Sequence, residues 1–430
     1  MSALDSAAWG RAHWRLFAVI SASFLLDGVL FSLVPTVIYL VQNLAQYATA
    51  IMAADSAAFL LGALALGRIS DAVGRRLGLI ISLAIYTAAA LAFVAAYWAG
   101  SLGLAAATAT TALMNFGVGG EMGPAYAALA ELSPARHRGK ALMMAANFWN
   151  IGAAAIAALS LAYAALSSNP RTVVLATFAT ALALALLVLL ARLHLPESPR
   201  WLAARGRVVE ARRVVASFAG VEEDPPPQPP GVGLSEALRT KPLGLSVLVA
   251  VAAAQLATYN IAAYYAPYAP GFPFGESSAP LLIAIANAGA SIGAFLLLPV
   301  IDRSRRISLA ASFAGGLATA AALLATLGLL SAYSAILFVN MIFAEWAWAA
   351  LSVLESELFP TGVRSSVVGL ITASAWALNT ALVAVEGLIS ATPFLIANAA
   401  IWAVGLAAAA LWHLRGVETA QRTLEELAAK

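Results

Sequence analysis

The sequence predicts an all-α membrane protein with twelve transmembrane helices in two six-helix halves. Its 430 residues are 62% hydrophobic and only 10% charged, whereas soluble globular chains average about 45–50% apolar and about 25% charged residues. Apolar runs of about 20 residues, the length of one membrane crossing, recur between polar breaks, and a motif of the first half returns in the second. This composition excludes a soluble protein, an enzyme with a single membrane anchor, a secreted domain and a nucleic-acid-binding protein.

Apolar runs and the polar breaks between them place the helices in order. Six are expected before the long hydrophilic stretch, near residues 15–40, 48–66, 77–98, 102–131, 141–166 and 172–193. Six more are expected after it, near residues 243–268, 280–301, 307–329, 333–358, 365–389 and 393–414. The chain is therefore expected to divide into an N-terminal half at 1–195, a cytoplasmic loop at 196–242 with short interfacial helices near 208–218 and 235–238, and a C-terminal half at 243–430.

Basic residues indicate how the helices are oriented. If both termini lie on the cytoplasmic side of a plasma membrane, Arg171 is the only one of the 24 Lys and Arg residues that falls outside. The positive-inside rule favours this arrangement. The formal net charge of +3 therefore reflects membrane topology, and nucleic acid is not expected as a partner.

A repeated motif supports the division into two halves. Glu131–Pro134, followed by Arg138, has a counterpart at the same spacing in Glu357–Pro360, followed by Arg364. In secondary transporters, parallel six-helix repeats of this kind enclose a solute path at their interface. The sequence therefore predicts two pseudo-symmetric halves with a path between them.

Several motifs resemble those of one transporter superfamily. Residues 67–76, Gly-Arg-Ile-Ser-Asp-Ala-Val-Gly-Arg-Arg, are similar to the loop after helix 2 in the major facilitator superfamily, and Pro196–Leu202 is similar to the segment after helix 6 in its sugar porters and organic-ion transporters. Gln255–Asn260 with Tyr264–Tyr265 resembles the helix 7 motif of sugar porters. Gly119–Glu121 is closer to helix 4 of organic-ion and metabolite symporters. The resemblance implies the major facilitator fold and a transporter rather than an enzyme.

Acidic residues inside the predicted helices point to ion coupling. They are Asp27, Asp55, Glu121, Glu345 and Glu386, and no Lys or Arg is predicted at comparable depth. A charge at that depth is costly unless it is paired, hydrated or neutralised, so desolvation favours the protonated carboxyl. Asp27, Glu121 and Glu345 are the preferred proton-coupling residues, and the resemblance implies that Asp27 matches a helix 1 carboxyl of proton-coupled relatives. The alternative for each acid is a local hydrogen-bonding or packing role.

Polar and aromatic side chains of three helices are the candidate solute contacts: Gln255, Asn260, Tyr264, Trp376, Asn379, Asn147 and Asn150. Asn260 and Tyr264 are four residues apart and share a helix face, whereas Gln255 joins them only if that face is wide or the helix is broken. One alternative is that the amides hydrogen-bond between helices. Another is that Tyr264 and Tyr265, which are expected toward the outer end of the helix, belong to an aromatic belt or to an outer gate. Hexose carriers have Arg, Gln or Trp at positions that here hold Thr111, Ala146, Ala153 and Ser352. These departures weaken the expectation of a hexose, and the surplus of acids suits a cationic solute.

Charged residues at the predicted cytoplasmic helix ends form a third group. They are Asp71, Arg75, Glu131, Arg138, Glu197 and Arg200, followed by Asp302, Arg306, Glu357 and Arg364. In this group, Asp302 with Arg306 is the expected counterpart of Asp71 with Arg75. The resemblance implies that these residues are conformational latches, which pair while the cytoplasmic side is closed and separate when it opens.

The sequence shows no catalytic or metal-binding pattern. The chain has no Cys, its four His residues lack metal-ligand spacing, and it has no phosphate-binding loop. We therefore expect no enzyme activity, cofactor or metal. The protein is instead expected to be a secondary transporter that acts as a monomer in the lipid bilayer. The favoured function is proton-coupled symport of a small polar or weakly cationic organic solute by alternating access. The alternatives are an uncoupled sugar or organic-cation facilitator and a transporter-like sensor that moves no solute.

Overall fold

The computed structural model describes residues 3–41, 44–225, 233–275, 278–385 and 388–428, and these residues form helices but no strand. Twelve of the helices are long and are termed α1 to α12 in chain order. The first half contains α1 (Arg11–Val37), α2 (Ala48–Val73), α3 (Arg75–Trp98), α4 (Leu104–Leu132), α5 (Arg138–Leu166) and α6 (Pro170–Arg192). The second half contains α7 (Pro242–Asn260), α8 (Ala279–Ile301), α9 (Arg305–Ala325), α10 (Leu330–Leu358), α11 (Arg364–Val385) and α12 (Ala391–Arg415).

Eleven of these twelve helices are long and apolar enough to span a membrane. The exception is α4, which carries Glu121 and Glu131 and in which every residue from Gly117 to Leu132 is buried. A helix enclosed by other helices needs no lipid-facing apolar surface, which accounts for its lower hydropathy. The predicted all-α membrane fold is therefore confirmed.

Three short helices lie between α6 and α7, at Pro199–Ala204, Val208–Ala219 and Leu234–Thr240. The second is amphipathic and buries Ala211 and Phe218 among its apolar residues. Helices are thus present at both places in this stretch where the sequence predicts short interfacial ones.

The two halves touch along α2 and α11 and along α5 and α8. The contact between α2 and α11 brings the two backbones together, because a Cβ on Gly369 would lie 2.1 Å from the Ala63 carbonyl oxygen. Small residues permit such close approach of membrane helices. A movement that separates the halves must therefore break this contact.

Both ends of the described chain lie on the same side of the helix bundle. The short helices Ala3–Ser6 and Leu424–Ala428 bring Asp5 and Glu425 to one guanidinium, that of Arg200, at 2.7 Å each. We term this the terminal side and the other the opposite side. That the terminal side faces the cytoplasm remains a prediction.

Candidate functional site

A buried charged cluster lies inside the first half. Glu121 of α4 forms an ion pair with Arg192 of α6, and the Tyr86 hydroxyl of α3 donates to the same carboxylate at 3.2 Å. Arg192 also donates to the Ser23 hydroxyl of α1 at 2.7 Å. Asp27, about one turn further along α1, lies within electrostatic reach of Glu121 and Arg192. Four helices of the first half therefore meet at this cluster.

Asp27 is the least satisfied member of the cluster. It is fully buried, and neither of its carboxyl oxygens has a hydrogen-bond partner among the described residues. An ionised carboxylate without a donor is costly to bury, whereas a neutral carboxyl is much less so. The geometry therefore favours a neutral Asp27 in this conformation.

The expectation that the membrane acids lack basic partners is wrong for Glu121. Arg192 is the last residue of α6, and the sequence alone makes it one of the charges that set topology. Its side chain instead turns into the bundle, where it is fully buried against Glu121. Asp55 has no ion pair, and its Oδ1 atom lacks a partner among the described residues. Glu386 lies outside the described residues.

Glu345 and two predicted asparagines connect the halves. The Asn150 amide of α5 donates to the Glu345 carboxylate of α10 at 3.2 Å, and it also lies 3.3 Å from the Asn147 side-chain oxygen. Asn147 in turn donates to the Ser291 carbonyl of α8 at 3.4 Å. Glu345 thus faces the first half through one amide, and these side chains are interhelical contacts in this conformation.

Helix α7 is interrupted after Asn260 by a π-helical turn over Ile261–Tyr265. Asn260 and Tyr265 both donate to the Asn379 side-chain oxygen of α11, at 2.7 and 2.8 Å. The Asn379 amide nitrogen lies 3.5 Å from the Ser56 hydroxyl of α2. The structure therefore brings the predicted Asn260 and Asn379 together, next to the first half.

Tyr264 contacts a different helix. Its hydroxyl lies 3.0 Å from the Asn287 amide nitrogen of α8, and the Tyr259 hydroxyl donates to the Asn287 oxygen at 3.1 Å. Gln255 donates to a backbone carbonyl of α10 at 3.2 Å. The polar residues of α7 thus reach three helices, and no described hydrogen bond joins Gln255, Asn260 and Tyr264 to one another. Sequence reasoning missed Asn287, which belongs to none of the quoted motifs. It also missed Tyr259, which lies within the helix 7 motif but was not among the candidate solute contacts.

An aromatic cluster lies between the halves. The predicted Trp376 of α11 stacks on Phe59 of α2, with ring centroids 4.2 Å apart, and packs at 5.3 Å against Phe31 of α1. Trp149 of α5 lies 5.5 Å from Phe31. Offset and edge contacts of this kind stabilise aromatic pairs, and three of these four rings were not predicted.

A charged network closes the terminal side, and its parts occur twice. Asp71 near the end of α2 accepts from the backbone NH groups of Ser365–Ser366, at the start of α11, at 3.2 and 2.7 Å. Asp302, directly after α8, accepts from the NH groups of Gly139–Lys140, at the start of α5, at 3.0 and 3.3 Å. Helix N-termini attract anions. Each aspartate therefore binds the fifth helix of the other half.

The two repeated glutamates also reach across. Glu131 pairs with Arg75 of its own half at 2.9 Å and with Arg364 of the other half. All three side chains are buried. Breaking a buried pair on one side leaves an uncompensated charge, so Glu131 couples the closure of the terminal side to both halves.

The counterpart in the second half uses Arg305 instead of the predicted Arg306. Arg305 is fully buried and pairs with Glu357 at 3.2 Å, while Glu357 faces Arg138 of the first half at 3.7 Å. Arg306 contributes only its backbone NH, to a carboxylate of the C-terminal tail at 3.4 Å. The correction arises because α9 begins three residues after Asp302, whereas α3 begins four residues after its aspartate.

Two further carboxylates cap α3 and α9, the helices that begin with Arg75 and Arg305. Glu197 accepts from the Arg75 NH at 2.9 Å, and Glu418 accepts from the Arg305 NH at 3.0 Å. Burial raises the pKa of Glu197 above its ordinary value. Sequence reasoning missed Glu418, although Glu418-Thr419 in the second half parallels Glu197-Ser198 in the first.

The chain ends complete the network. Asp5 and Glu425 both contact Arg200, as described above. Asp5 also pairs with Arg138 at 2.8 Å, and Arg138 donates to the Arg422 carbonyl at 3.1 Å. Burial opposes ionisation of Glu425, but Arg200 outweighs it and holds the pKa of Glu425 below its ordinary value. Asp5 and Glu425 were not predicted, because no motif marks them. The terminal side is therefore closed in this structure by contacts between the halves.

Comparison with known proteins connects this architecture to a family. The sequence model described as "Sugar (and other) transporter" matches residues 17–430. The inner membrane metabolite transport protein YgcS of Escherichia coli K12 is 32% identical over 222 residues, which are 50% of this chain and 48% of that protein. Plastidic glucose transporter 4 of Arabidopsis thaliana is 28% identical over 350 residues, 73% of this chain and 60% of that protein. The alignments thus span about half and three fifths of these relatives.

Solved structures show the same fold. The proton:xylose symporter XylE bound to 6-bromo-6-deoxy-D-glucose matches with a TM-score of 0.76 at 19% identity, over 97% of this chain and 98% of that one. XylE from E. coli in an inward-open conformation gives a lower TM-score of 0.65 at 20% identity, over 96% and 99%. Together with the match to the family model, the fold shows that the chain belongs to the sugar (and other) transporters of the major facilitator superfamily, which are membrane transporters and not enzymes.

Proposed function

We propose that the protein moves a small polar or weakly cationic organic solute across the membrane by alternating access, coupled to protons. Asp27, Glu121 and Glu345 are the proposed proton-coupling residues. The proposed solute contacts are Gln255, Asn260, Tyr264, Trp376, Asn379, Asn147 and Asn150. The favoured direction of coupling is symport.

The observation that carries the proposal is the environment of Asp27. Its carboxyl has no hydrogen-bond partner in the described part of the chain, and it lies within electrostatic reach of the pair formed by Glu121 and Arg192. A proton on Asp27 removes a charge from a site with no donor of its own. Loss of that proton adds a second carboxylate next to one arginine, which favours a rearrangement around Arg192. Protonation and conformation are therefore linked at this point.

Alternating access is supported by how the terminal side is closed. The halves are joined there by discrete hydrogen bonds and ion pairs, which are made by Asp71, Asp302, Glu131 and Glu357. Such contacts can exchange between a made and a broken state, and a bound ligand shifts the balance only if it prefers one of them.

The class of solute follows from charge and ring content. The contacts between the halves include the carboxyl of Glu345, amides and the rings of Trp376 and Trp149. The buried Arg192 of the first half is already paired with Glu121. This surface suits hydroxyl or ammonium groups better than an anion. Two similar proteins are named for glucose and xylose, so a sugar-like solute is the first to test.

The test is uptake by the purified protein in liposomes with a pH dye inside. Glucose, xylose and a primary organic amine serve as labelled probes, with and without an imposed pH gradient. We expect gradient-driven uptake with proton entry in the wild type, and uptake that ignores the gradient in Asp27→Asn. Asp224→Asn is the matched control, because Asp224 is exposed and pairs with the exposed Arg212, at 2.8 Å.

The same experiment separates the alternatives. Uptake that the pH gradient never changes, in the wild type and in Asp27→Asn alike, indicates an uncoupled facilitator and refutes coupling. Binding of a probe with no flux in either direction indicates a sensor and refutes transport.

We also propose that the terminal side faces the cytoplasm, that the protein resides in the plasma membrane and that it acts as a monomer. Because the chain has no Cys, Arg171→Cys provides a single labelling site without background. An impermeant maleimide should label it from outside intact cells, and labelling only after permeabilisation contradicts this orientation. Light scattering of the purified protein reports the oligomeric state.

A further inference from the structure

The interrupted part of α7 is held from two directions within the second half. After Asn260 the chain forms the π-helical turn Ile261–Tyr265 and a 3-10 turn over Ala266–Tyr268. We term residues 261–268 the α7 extension. Tyr265 joins it to α11 through Asn379 and stacks on Phe394 of α12, with ring centroids 6.4 Å apart. The other attachment is to α8.

Among the described residues, the side-chain hydrogen bonds from this region to α8 are made by Asn287. Its oxygen accepts from the Tyr259 hydroxyl at 3.1 Å, and its nitrogen donates to the Tyr264 hydroxyl at 3.0 Å and to the Ile283 carbonyl at 2.8 Å. Both donors and the acceptor of the amide are therefore used. Tyr259 precedes the interruption and Tyr264 lies within it, so Asn287 connects both sides of the break to a neighbouring helix.

This geometry matters because the α7 extension is hydrogen-bonded to a side chain of α11 that reaches the first half. Asn379, which accepts from Asn260 and Tyr265, has its amide nitrogen 3.5 Å from Ser56 of the first half. Ser56 is only 4% exposed with the extension in this position. A displacement of the extension from α8 pulls on the hydrogen bonds to Asn379 and opens a path to Ser56.

We propose that Asn287 is a positioning residue for the gate on the opposite side: through Tyr259 and Tyr264 it sets how often the α7 extension leaves α8 and uncovers the space between the halves. Asn287 acts through the two tyrosines and need not touch the solute. The inference rests on the proposed alternating-access transport, because it assigns one gate of that cycle. It also changes the role of Tyr264, from a solute contact to part of the gate.

The test uses a single cysteine in a chain that has none of its own. Ser56→Cys is prepared alone and together with Asn287→Ala, each in lipid nanodiscs, so that a maleimide reaches both sides of the membrane. Loss of two hydrogen bonds in a buried setting should raise the labelling rate of Cys at position 56 roughly tenfold. The rate is measured without solute, so it does not depend on which compound is carried.

The matched control is Asn340→Ala. Asn340 is a buried asparagine of α10 that also bonds within the second half, to the Gly316 carbonyl at 3.0 Å and to Thr319 at 2.8 Å, but it does not hold α7. It should leave the labelling rate within about twofold of the parent. A similar rise in this variant refutes the proposal, because it shows general loosening of the second half.

A second set of variants tests whether Asn287 acts through the tyrosines. Tyr259→Phe with Tyr264→Phe should reproduce the rise, and adding Asn287→Ala should then change the rate little, since residues of one network are not additive. A full further rise on that background, or an unchanged rate in Asn287→Ala, overturns the assignment. If Asn287→Ala does not fold, the double tyrosine variant decides alone. Liposome uptake by the wild type with unchanged labelling refutes only the gate, whereas absence of uptake with the expected labelling refutes only the transport function.

Discussion

The closure of the terminal side by paired aspartates leads to a quantitative prediction for Asp71→Asn. Asp71 accepts two backbone hydrogen bonds and one hydroxyl hydrogen bond from Ser365–Ser366, and it pairs with Arg75 at 2.9 Å. Asparagine keeps one oxygen but loses the charge, and its amide NH₂ then faces donors of α11. The substitution should weaken the closed state because these partners belong to the other half.

The magnitude follows from the contacts and their burial. Hydrogen bonds to charged groups contribute about 1.5–3 kcal/mol each, and Asp71 is only 8% exposed, so solvent screens them little. Losing the equivalent of one such bond, about 2 kcal/mol, shifts the ratio of closed to open states roughly thirtyfold. A protein open on this side for roughly 1% of the time would then be open for roughly a quarter of it.

Spin-label distances across the terminal side measure this shift. Arg136→Cys in the first half and Arg303→Cys in the second are exposed positions on either side of the network, and the chain adds no cysteine of its own. Double electron–electron resonance should show one short distance in the parent and an added longer distance in Asp71→Asn. Asp302→Asn should act in the same direction, because Asp302 binds the start of α5 in the equivalent way.

Two results would refute this reasoning. One is an unchanged distance distribution in both aspartate variants at a temperature where the parent is folded. The other is the same longer distance in Asp224→Asn, whose carboxylate pairs only with Arg212 of the same surface segment. The first result would show that the aspartates do not hold the terminal side closed. The second would show that the longer distance arises from the change in net charge.

Three further predictions follow from other parts of the structure. Glu121→Gln leaves a buried guanidinium without its anion and should lower the free energy of unfolding by about 3–5 kcal/mol, seen as a lower Tm in detergent; an unchanged Tm contradicts a buried pair. Gly369→Ala places a methyl group 2.1 Å from a carbonyl oxygen of α2 and should lengthen the same spin-label distance, whereas Gly362→Ala, with open space around it, should not. The pKa of Glu425 is held below its ordinary value of 4.5, so its contribution to docking of the C-terminal tail is complete above that pH and is lost as pH falls through the lower folded-state value. Proteolysis of the tail should therefore accelerate as the pH falls below 4.5 in the parent and not in Glu425→Gln.

The sequence predicts the helices well because each apolar run had to match one membrane thickness. All twelve predicted helices are present. The fourth was predicted although its hydropathy is low, because Leu104–Leu132 lies between two polar breaks. The repeated Glu131 and Glu357 also predicted a two-part network. Their partners in the other half, Arg364 and Arg138, were named in the same group from the motif that both halves share.

Side-chain direction is what the sequence could not supply. Arg192 ends α6, and an arginine at a helix end can extend toward water or fold back along its flexible stem; only the position of Glu121 on a neighbouring helix decides between them. Arg305 and Arg306 are adjacent, and a difference of one residue in the preceding turn selects which of them points inward. Asn287 and Tyr259 form a pair only because α7 and α8 pack together in space.

The two halves contribute equivalent residues to the charged network of the terminal side, but they differ at the proposed proton site. The position of Glu121, ten residues before Glu131, corresponds in the second half to Ala347, ten residues before Glu357. The position of Arg192, five residues before Glu197, corresponds to His413, five residues before Glu418. The buried pair therefore has no counterpart in the second half, while the aspartate and glutamate contacts of the terminal side exist in both. A proton bound at Asp27 can change only the first half directly. Because Glu131 and Asp302 each join both halves, that one-sided change reaches a gate that opens as a whole.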